Sequence, residues 1–307
     1  MFSEKAITVL KIRSRLLQAV RSWLSDRGYV EVQGPVIIPA IEDLPCSFEV
    51  EYFGKKAYLT QGLHPYANAF ASHLGKVFTI APAFRAEKLR TRRHLAEYWR
   101  IQVTEQGRFE KVISVQEELV AHVCSVLSEE AMEVLEFLNR PVDDLNKVRV
   151  PFPRLTYDEV ISLLQRDGFK VWWGQNIDWE MEQHLSLQFK QPFFITSYPL
   201  NAETFFFKPD SEKPELTLSV DMLAPEGYGE MSSGAEMITD KEMMLEKLNE
   251  ANVVSDSQRW FMSFNECHSS PLSGFAMGLE RLTQWICKLV DIKEAAAFPR
   301  LYDSYFP

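Results

Sequence analysis

The sequence predicts an α+β fold in which a mainly antiparallel β-sheet is flanked by helices. Three observations lead to this prediction: an amphipathic helix near the N-terminus, strand-like apolar runs along the rest of the chain, and helices inserted between those runs. Strand runs with inserted helices are typical of an antiparallel sheet with helical cover. With 307 residues, the chain can bury a large core in one domain or two.

The N-terminal third begins with a predicted helix over residues 6–27, because five apolar residues recur at helical spacing. These residues are Ile12, Leu16, Leu17, Val20 and Leu24. A short strand at 29–32 follows, and the prolines after it prevent its continuation. Residues 48–60 predict a hairpin that turns at Gly54, and residues 64–74 predict a second helix.

The remaining two thirds alternate between helices and strands. Residues 156–190 predict two helices around a strand-like piece, GFKVWWG, and are interpreted as an insertion on the main sheet. The other predicted helices are 112–138, 240–250 and 277–290, and the other predicted strands are 193–199, 204–208 and 216–223.

Composition narrows the class of protein. Asp and Glu outnumber Lys and Arg by 43 to 33, which gives a net charge of −10. Proteins that bind nucleic acid gain most of their nonspecific affinity from basic residues, so the charge balance disfavours a nucleic acid, including any RNA, as a partner. The chain lacks a long apolar run and a signal-peptide pattern, and its four cysteines are scattered without metal-ligand spacing. We therefore expect a cytoplasmic protein that binds neither a membrane nor structural zinc.

A basic segment at residues 84–105 carries the clearest functional pattern. Six basic side chains fall within ten residues, and the apolar runs on either side indicate two antiparallel strands joined by a loop. The six are Arg85, Lys88, Arg90, Arg92, Arg93 and His94. Guanidinium groups bind phosphate in a bidentate way, and an aromatic ring such as Tyr98 can support a flat base. The segment indicates a nucleotide site, or alternatively a solvated basic hairpin.

Residues 272–286, LSGFAMGLERLTQWI, form the second functional pattern. Gly274 and Gly278 allow close approach of the backbone, and apolar residues then recur at helical spacing. Arg281 lies early in that helix, where it suits a second phosphate or purine contact. The alternative is an ordinary core helix with a surface arginine, and it is the combination of the two segments in this order that is specific.

At this point the chain resembles the class II aminoacyl-tRNA synthetases. Residues 11–35 resemble motif 1 of that family, the segment 84–105 resembles motif 2, and residues 274–286 resemble motif 3. Three further stretches resemble the asparaginyl-tRNA synthetase branch and its truncated relatives that make asparagine from aspartate and ammonia. These stretches are YLTQ at 58–61, VDMLAPEGYGEMSSGAE at 220–236 and IKEAAAFPRLYDSYFP at the C-terminus.

The resemblance implies the class II synthetase sheet and a single catalytic domain over residues 1–307, with a helical insertion around 156–190. A full-length enzyme of this branch would carry an N-terminal anticodon-binding barrel, and we expect this chain to lack it. The resemblance also implies a homodimer through residues 11–39, where motif 1 forms a two-fold interface.

The activity implied by the resemblance is adenylation of a carboxylate by ATP with Mg²⁺. Arg85 would contact the α-phosphate and the substrate carboxylate, and Arg281 would lie on the other side of the nucleotide. The other implied ATP-binding residues are Glu87 at the adenine amino group, Tyr98 on the ring, His94 and Arg93 at the outer phosphates, and Glu230, Ser233 and Gly278. Asp221 and Glu230 would hold magnesium, since hard oxygen ligands suit that ion, or would be two solvent-facing acids.

The amino-acid half of the site departs from the family pattern. By resemblance, Glu42 and Gln61 match positions that hold the substrate α-ammonium, and Arg85 belongs to the amino-acid half through its contact with the substrate carboxylate. A third such position, an acid in the family, is Gln102 here, and the family's glutamine or lysine after YLTQ is His64. The arginine that grips the substrate side chain is replaced by Met237, unless the correspondence slips by one residue there.

These departures leave three hypotheses for the function. The first is a ligase that forms an amide from an acyl-adenylate and ammonia or a small amine, without tRNA, and whose acid is either aspartate or another acid. The second is acyl transfer to a tRNA, a carrier protein or a protein lysine. The third is a non-catalytic regulatory paralogue, against which the retained Arg85, Glu87, Glu230 and Arg281 argue. In the first case the partners are small-molecule acid and amine substrates.

Overall fold

An eight-stranded sheet organises the fold. The computed structural model describes residues 3–39, 46–89, 91–202, 206–250, 262 and 270–305. The helices are α1 (Glu4–Asp26), α2 (His64–Leu74), α3 (Phe109–Glu130), α4 (Met132–Phe137), α5 (Val142–Asn146), α6 (Tyr157–Arg166), α7 (Trp179–Ser186), α8 (Lys241–Glu250) and α9 (Leu279–Ile286). The strands are β1 (Val30–Glu31), β2 (Ile37–Ile38), β3 (Glu49–Tyr52), β4 (Lys55–Leu59), β5 (Lys76–Phe84), β6 (Glu97–Gln106), β7 (Arg154–Thr156), β8 (Phe193–Thr196), β9 (Ser219–Ala224), β10 (Gly229–Glu236) and β11 (Leu272–Gly278).

The large sheet has the strand order β1-β5-β6-β11-β10-β9-β8-β7, and β2, β4 and β3 form a separate small sheet. The two outermost pairs, β1 with β5 and β7 with β8, are parallel, and the pairs between them are antiparallel. The prediction of an α+β fold built on a mainly antiparallel sheet flanked by helices is therefore confirmed.

Helices α1 and α3 cover one face of the sheet. Apolar residues of both helices share a buried cluster with alternate residues of the central strands, such as Ile101 and Val103 of β6 and Phe275 of β11. Because successive side chains of a strand point to opposite faces, Tyr98, Arg100, Gln102 and Thr104 of β6 lie on the other face. That second face is where the candidate site lies.

Two helical groups flank the open part of this second face. Helix α2 packs at one end, where Ala67 and Ala71 share a cluster with Val77 of β5. Helices α6 and α7 pack at the other end, over Phe193 and Leu223 of the neighbouring strands. The stretch of β6, β11 and β10 between the two groups is left open, so the sheet forms the floor of a cleft.

Glycines in the central strands permit a close approach between chains. A Cβ atom placed on Gly274 would lie 2.5 Å from the Val103 backbone oxygen, and one on Gly234 would lie 2.7 Å from the Phe275 Cβ. Both distances are shorter than side-chain carbons tolerate, so these positions in β11 and β10 require glycine. The predicted need for close backbone approach at Gly274 is confirmed, whereas a Cβ on Gly278 would meet only the flexible Arg281 side chain at 3.4 Å.

The strand-like interpretation of residues 168–174 was wrong, and the predicted strand at 204–208 is described only in part. Residues 168–174, GFKVWWG, form turns and irregular chain, because both end glycines adopt a positive φ and the Trp173 ring nitrogen donates to Asp158 of α6. The predicted strand at 204–208 falls partly outside the described residues. Its described part makes only an isolated bridge between Phe207 and Met237.

The predicted helix over 112–138 is interrupted at Ala131, which separates α3 from α4. The hairpin turn and helix α2 agree with the sequence, with Gly54 in the turn and His64–Leu74 as the helix. Within the ranges described above, no helix combines the length and the apolar character that crossing a membrane would need.

Candidate active site

A cleft lies over β6, β10 and β11 on the open face of the sheet. Four of its lining residues are arginines, and we call it the arginine cleft. Seven of the residues predicted for ATP binding line it: Arg85, Arg93, His94, Tyr98, Glu230, Gly278 and Arg281. The structure therefore brings the two functional segments of the sequence together, as their combination predicts.

Arg281 and Glu230 form a close ion pair in the wall of the arginine cleft. The Arg281 Nη1 atom lies 2.8 Å from the Glu230 carboxylate and 3.1 Å from the Glu230 backbone oxygen. Burial alone would raise the pKa of Glu230, but Arg281 and Arg93 outweigh it and lower the pKa to about 2. Glu230 is therefore a carboxylate over the physiological pH range, as a metal-binding role requires.

Arg93 is held by protein groups on several sides. Its Nη1 donates to Glu182 of α7 at 2.6 Å, its Nη2 donates to the Glu230 backbone oxygen at 2.7 Å, and its guanidinium lies 4.3 Å from the centre of the Trp179 ring. Only 6% of its side chain is exposed. Arg93 thus contributes a fixed positive charge to the wall of the cleft and is not free to move toward a phosphate.

His94 lies among three arginines. Its Nδ1 shares a 2.6 Å hydrogen bond with the Thr91 hydroxyl. Burial lowers the pKa of His94 first, and Arg281, Arg93 and Arg85 lower it further, to about 4. The cleft therefore already disfavours one more positive charge, which is the electrostatic condition that attracts a polyphosphate.

Arg85 is fixed at the end of β5. Its backbone N–H donates to the Ala96 carbonyl at 2.9 Å, and its guanidinium forms an ion pair with Glu87. Glu87 does not line the arginine cleft; it lines a neighbouring one with Lys88 and Arg300. In this structure the Glu87 carboxylate serves as the partner of Arg85.

Asp221 and Ser233 lie opposite each other in β9 and β10. A register shift between Glu230 and Ser232 places one extra residue in β10, so that Glu230 and Ser233 both face the side of the sheet that carries the cleft. Asp221 shares that side with Ser233. Neither Asp221 nor Ser233 lines the arginine cleft itself.

The donor chemistry of this pair of acids fits magnesium. Mg²⁺ is usually bound by one or two carboxylates together with water and substrate phosphates, so Asp221 and Glu230 suffice as protein ligands. Among the described residues, no cluster of three or more His, Cys, Asp or Glu side chains is arranged to hold a metal ion. The site is therefore of the kind that needs phosphate oxygens to complete the coordination.

The residues predicted for the amino-acid half are more dispersed. Gln102 is 1% exposed and lines a second cleft, whereas Met237 is 1% exposed inside an apolar cluster with Leu63, Ala67 and Phe207. His64 begins α2, and its ring lies 5.5 Å from the Phe206 ring. Burial, and then Arg100, lower the pKa of His64 to about 4.

The predicted residue Glu42 lies outside the described residues. Gln61 lies after β4, and its backbone carbonyl accepts a hydrogen bond of 2.8 Å from Arg100. His64 and Met237 therefore offer no positive charge that would replace the family's arginine at neutral pH.

Sequence reasoning missed Arg100. It lines the arginine cleft and also the second cleft that contains Gln102. The signal was present in the sequence, because Arg100 lies two residues after Tyr98 and two before Gln102 on one strand. Strand periodicity puts the three side chains on the same face.

Comparison with known proteins agrees with this geometry. The family model described as tRNA synthetases class II (D, K and N) matches residues 1–302. The chain belongs to the class II tRNA synthetases. As a member of that family it is an adenylate-forming, AMP-forming ligase, and the predictions of family, fold and enzyme class are confirmed.

Similar proteins within the family include asparagine–tRNA ligases. That of Desulforamulus reducens is 36% identical over 301 residues, which cover 97% of this chain and 70% of the relative. That of Thermococcus gammatolerans is 35% identical over 307 residues, covering 99% and 71%. This class II synthetase thus spans about 70% of such relatives.

A solved structure of asparaginyl-tRNA synthetase from Pyrococcus horikoshii, complexed with asparaginyl-adenylate, superposes with a TM-score of 0.96. It is 36% identical, and the match covers 99% of this chain and 71% of that one. An asparaginyl-tRNA synthetase from Entamoeba histolytica matches with a TM-score of 0.91 at 27% identity. Because similar proteins are named as tRNA ligases, the expectation that tRNA is not a partner finds no support in these comparisons.

Proposed function

We propose that this class II synthetase activates an amino acid or related carboxylic acid with ATP and Mg²⁺, and then forms an amide with ammonia or a small amine. The observation that carries the proposal is the contrast between the two halves of the site. Seven predicted ATP-binding residues meet in one cleft. In the amino-acid half, by contrast, Met237 is buried among apolar side chains and Gln102 stands where the family has an acidic residue.

The first step is attack of a substrate carboxylate oxygen on the α-phosphorus of ATP. A new P–O bond forms, the bond to pyrophosphate breaks, and pyrophosphate leaves with the bonding electrons. Arg85 would hold the attacking carboxylate against the α-phosphate, and Tyr98 and Arg281 would hold the base between them. The protein contributes position and positive charge rather than a covalent group.

The charges in the arginine cleft suit the leaving group. Arg281 lies in one wall, paired with the Glu230 carboxylate, and Arg93 is held in place by Glu182 and the Glu230 backbone oxygen. Asp221 and Glu230 would hold Mg²⁺, which offsets the phosphate charge when it is bound. These fixed groups require little reorganisation as charge develops on the pyrophosphate.

In the second step, the nitrogen of ammonia or an amine attacks the acyl carbon of the adenylate. A C–N bond forms, the C–O bond to AMP breaks, and AMP leaves with the electron pair while the nitrogen loses a proton to solvent. The altered amino-acid half of the site supports ammonia or a small amine, rather than tRNA, as the acceptor. An enzyme that charged tRNA with an acid other than the family's would introduce that acid into proteins, whereas a small-molecule amide carries no such consequence.

We further propose that the chain works as one catalytic unit, with residues 156–190 forming part of the wall. Glu182 and Trp179 of α7 support this, because they hold Arg93 at the arginine cleft. We also propose a homodimer through residues 11–39.

A second candidate function is aminoacyl transfer to tRNA. It is favoured by the names of similar proteins, which are asparagine–tRNA ligases. The two candidates share the adenylation step and differ only in the acceptor, so the acceptor is what an experiment must identify.

The test is ATP–pyrophosphate exchange with a panel of amino acids and related acids, with Mg²⁺ and without tRNA. We expect one acid to stand out and Arg281→Gln to abolish its exchange. Adding ammonium or a small amine should then release AMP and one equivalent of amide.

The same reaction with total tRNA instead of amine serves as the comparison. Aminoacylated tRNA, with no amide formed from ammonium, would overturn the proposed acceptor in favour of the second candidate. If no acid in the panel supported ATP–pyrophosphate exchange, both candidate functions would be overturned.

A further inference from the structure

A second, smaller cleft lies beside the arginine cleft, between β5, β6 and the segments 34–36 and 60–63. We call it the Gln102 cleft. Arg100 lines both clefts, so the two are neighbours across a single side chain. Any molecule that fills both would pass Arg100.

The amide of Gln102 presents a donor to this cleft. Its Oε1 accepts a hydrogen bond of 2.8 Å from the Leu63 backbone N–H, which fixes the orientation of the amide because that N–H requires an acceptor. The Nε2 atom is buried and has no hydrogen-bond partner among the described residues. A buried N–H₂ group without an acceptor costs free energy, so this position favours a ligand that supplies an oxygen.

Thr79 presents a second polar group directly beside Gln102. The two residues are cross-strand partners in β5 and β6, so their side chains share one face of the sheet at adjacent positions. Thr79 is 3% exposed, and its hydroxyl is likewise buried without a partner in the described part of the chain. Two orphaned polar groups at adjacent positions indicate a ligand site rather than a packing accident.

Arg100 supplies the charge. One guanidinium nitrogen, Nη1, donates to the Gln61 carbonyl at 2.8 Å, and this anchors the side chain at the cleft. The described ion pairs include none made by Arg100, although its charge is among those that lower the pKa of Glu230. The described lining of the Gln102 cleft contains no acid either.

We propose that the Gln102 cleft binds a carboxylate, and that Arg100 thereby selects a short dicarboxylic acid as the substrate. One carboxylate lies at Arg85 and is adenylated, and the other is held by Arg100, the Gln102 amide and the Thr79 hydroxyl. This inference rests on the proposed function, because it names the class of acid that the adenylation step uses. A cleft with these donors and no described acid suits a carboxylate and disfavours an ammonium group.

The assignment also accounts for Met237. A side-chain carboxylate needs a cation, and Met237 lies sealed in an apolar cluster that cannot provide one. Arg100 provides it from a different strand of the sheet. The positive charge for the second carboxylate would then come from β6 instead of from the residue after β10, and the substrate would lie closer to β5.

The test compares matched acids in ATP–pyrophosphate exchange with the full chain. The probes are aspartate and glutamate, their amides asparagine and glutamine, and 2-aminobutanoate, which lacks the second polar group. Three variants are compared with the parent: Arg100→Met, which keeps length without charge, Arg100→Lys, which keeps the charge, and Gln102→Glu, which places a carboxylate in the cleft.

We expect a dicarboxylate to be preferred over its amide and over the monoacid by at least about 30-fold in kcat/KM, the factor that corresponds to losing one buried charged contact. Arg100→Met should remove this preference, and it should raise KM for the acid by a larger factor than KM for ATP, because Arg100 also lines the arginine cleft. Arg100→Lys should restore part of the preference, and Gln102→Glu should lower it. Preference of the parent for an amide or monoacid, or full discrimination by Arg100→Met, would overturn the inference.

A binding measurement separates this inference from the proposed function. Stabilisation of the parent by the dicarboxylate in thermal unfolding, absent in Arg100→Met, would support the cleft even if every exchange reaction were silent. In that case the proposed adenylation would be wrong, and the proposed carboxylate site would still be supported. Equal stabilisation of both proteins would instead overturn the carboxylate site.

Discussion

At the scale of single residues, the arginine cleft is defined by an excess of positive charge over its described acids. Burial is the largest cause of the low pKa of His94, and the nearby Arg281, Arg93 and Arg85 lower that pKa further. Glu230 compensates part of this charge and is itself held ionised by Arg281 and Arg93. A bound polyphosphate would complete the compensation, which is why ATP fits the site electrostatically.

The low pKa of His94 predicts how the free energy of unfolding depends on pH. Its folded-state pKa is about 4, below the value of 6.5 in the unfolded chain. Between these values the unfolded chain binds a proton that the folded protein does not, so the free energy of unfolding falls as pH is lowered through this window. We expect His94→Asn to weaken this dependence by about 2 kcal/mol between pH 7 and pH 5, measured by urea unfolding.

His73→Asn is the matched control, since His73 is exposed at the end of α2 and, within the part of the chain that the structure describes, its ring bonds the Ala69 carbonyl. His64, whose pKa burial and Arg100 lower to about 4, should leave a residual dependence of the same sign in both variants. If the stability of His94→Asn fell with pH as steeply as that of the parent, His94 would not be the group responsible.

The residue scale also shows what the sequence could and could not predict. Arg85, His94 and Arg281 were predicted, because their motifs are local in sequence and carry a recognisable order of residue types. Arg100 was not singled out, although its alternation with Tyr98 was visible. Its significance depends on which polar atoms remain without partners nearby, and that is decided by contacts between β5, β6 and the segment 60–63.

At the scale of elements, α7 does more than cover the sheet. Its Glu182 accepts from Arg93 at 2.6 Å and from the Glu230 backbone N–H at 2.9 Å, and its Trp179 ring lies against the Arg93 guanidinium. The helix begins at Asp178, whose side chain accepts from Met181 N at 3.0 Å and so fixes the first turn. Helix α7 therefore positions an arginine of the β5–β6 loop.

This coupling predicts that Glu182→Ala affects both stability and nucleotide use. Removing one partner of a buried ion pair leaves the Arg93 charge uncompensated, so we expect a loss of about 3 kcal/mol in the free energy of unfolding. The KM for ATP should rise about 10-fold or more, because Arg93 is no longer fixed at the cleft, while the KM for the acid stays unchanged. Chemical denaturation and ATP–pyrophosphate exchange measure the two effects.

Glu180→Ala provides the control on the same helix, because Glu180 is exposed and makes no described bond to the cleft. It should leave both quantities close to those of the parent. Loss of stability in Glu182→Ala with an unaltered KM for ATP would mean that α7 only covers the sheet.

Elements with a strong periodic pattern were predicted well, and the weaker ones were not. Helix α2 agrees with the predicted bounds because apolar spacing and a proline near its start act together. The GFKVWWG piece has the residue types of a strand, but its end glycines turn the chain and its tryptophans are exposed. A strand needs a neighbouring edge to pair with, and local sequence does not reveal whether one is free.

At the scale of the whole molecule, the N-terminal edge of the large sheet exposes apolar side chains. Val30 of the outermost strand β1 is 44% exposed, and Val36 and Ile37, which follow β1 and lead into β2 of the small sheet, are 36% and 43% exposed. Exposed apolar residues concentrated beside a sheet edge are costly in a monomer and are commonly covered by another chain. They fall inside residues 11–39, the region proposed for a two-fold interface.

We therefore predict a homodimer whose mass in light scattering at micromolar concentration is twice that of the 35.5 kDa chain. Ile37→Asp should give the single-chain mass, because a C2 interface places the new charge and its copy in the same buried patch. Val290→Asp is the control: Val290 is 64% exposed and lies outside residues 11–39, so the variant should keep the mass of the parent. A single-chain mass for the parent would exclude the dimer. A dimer that survives Ile37→Asp would place the interface elsewhere. In either case the exposed apolar residues would need another partner.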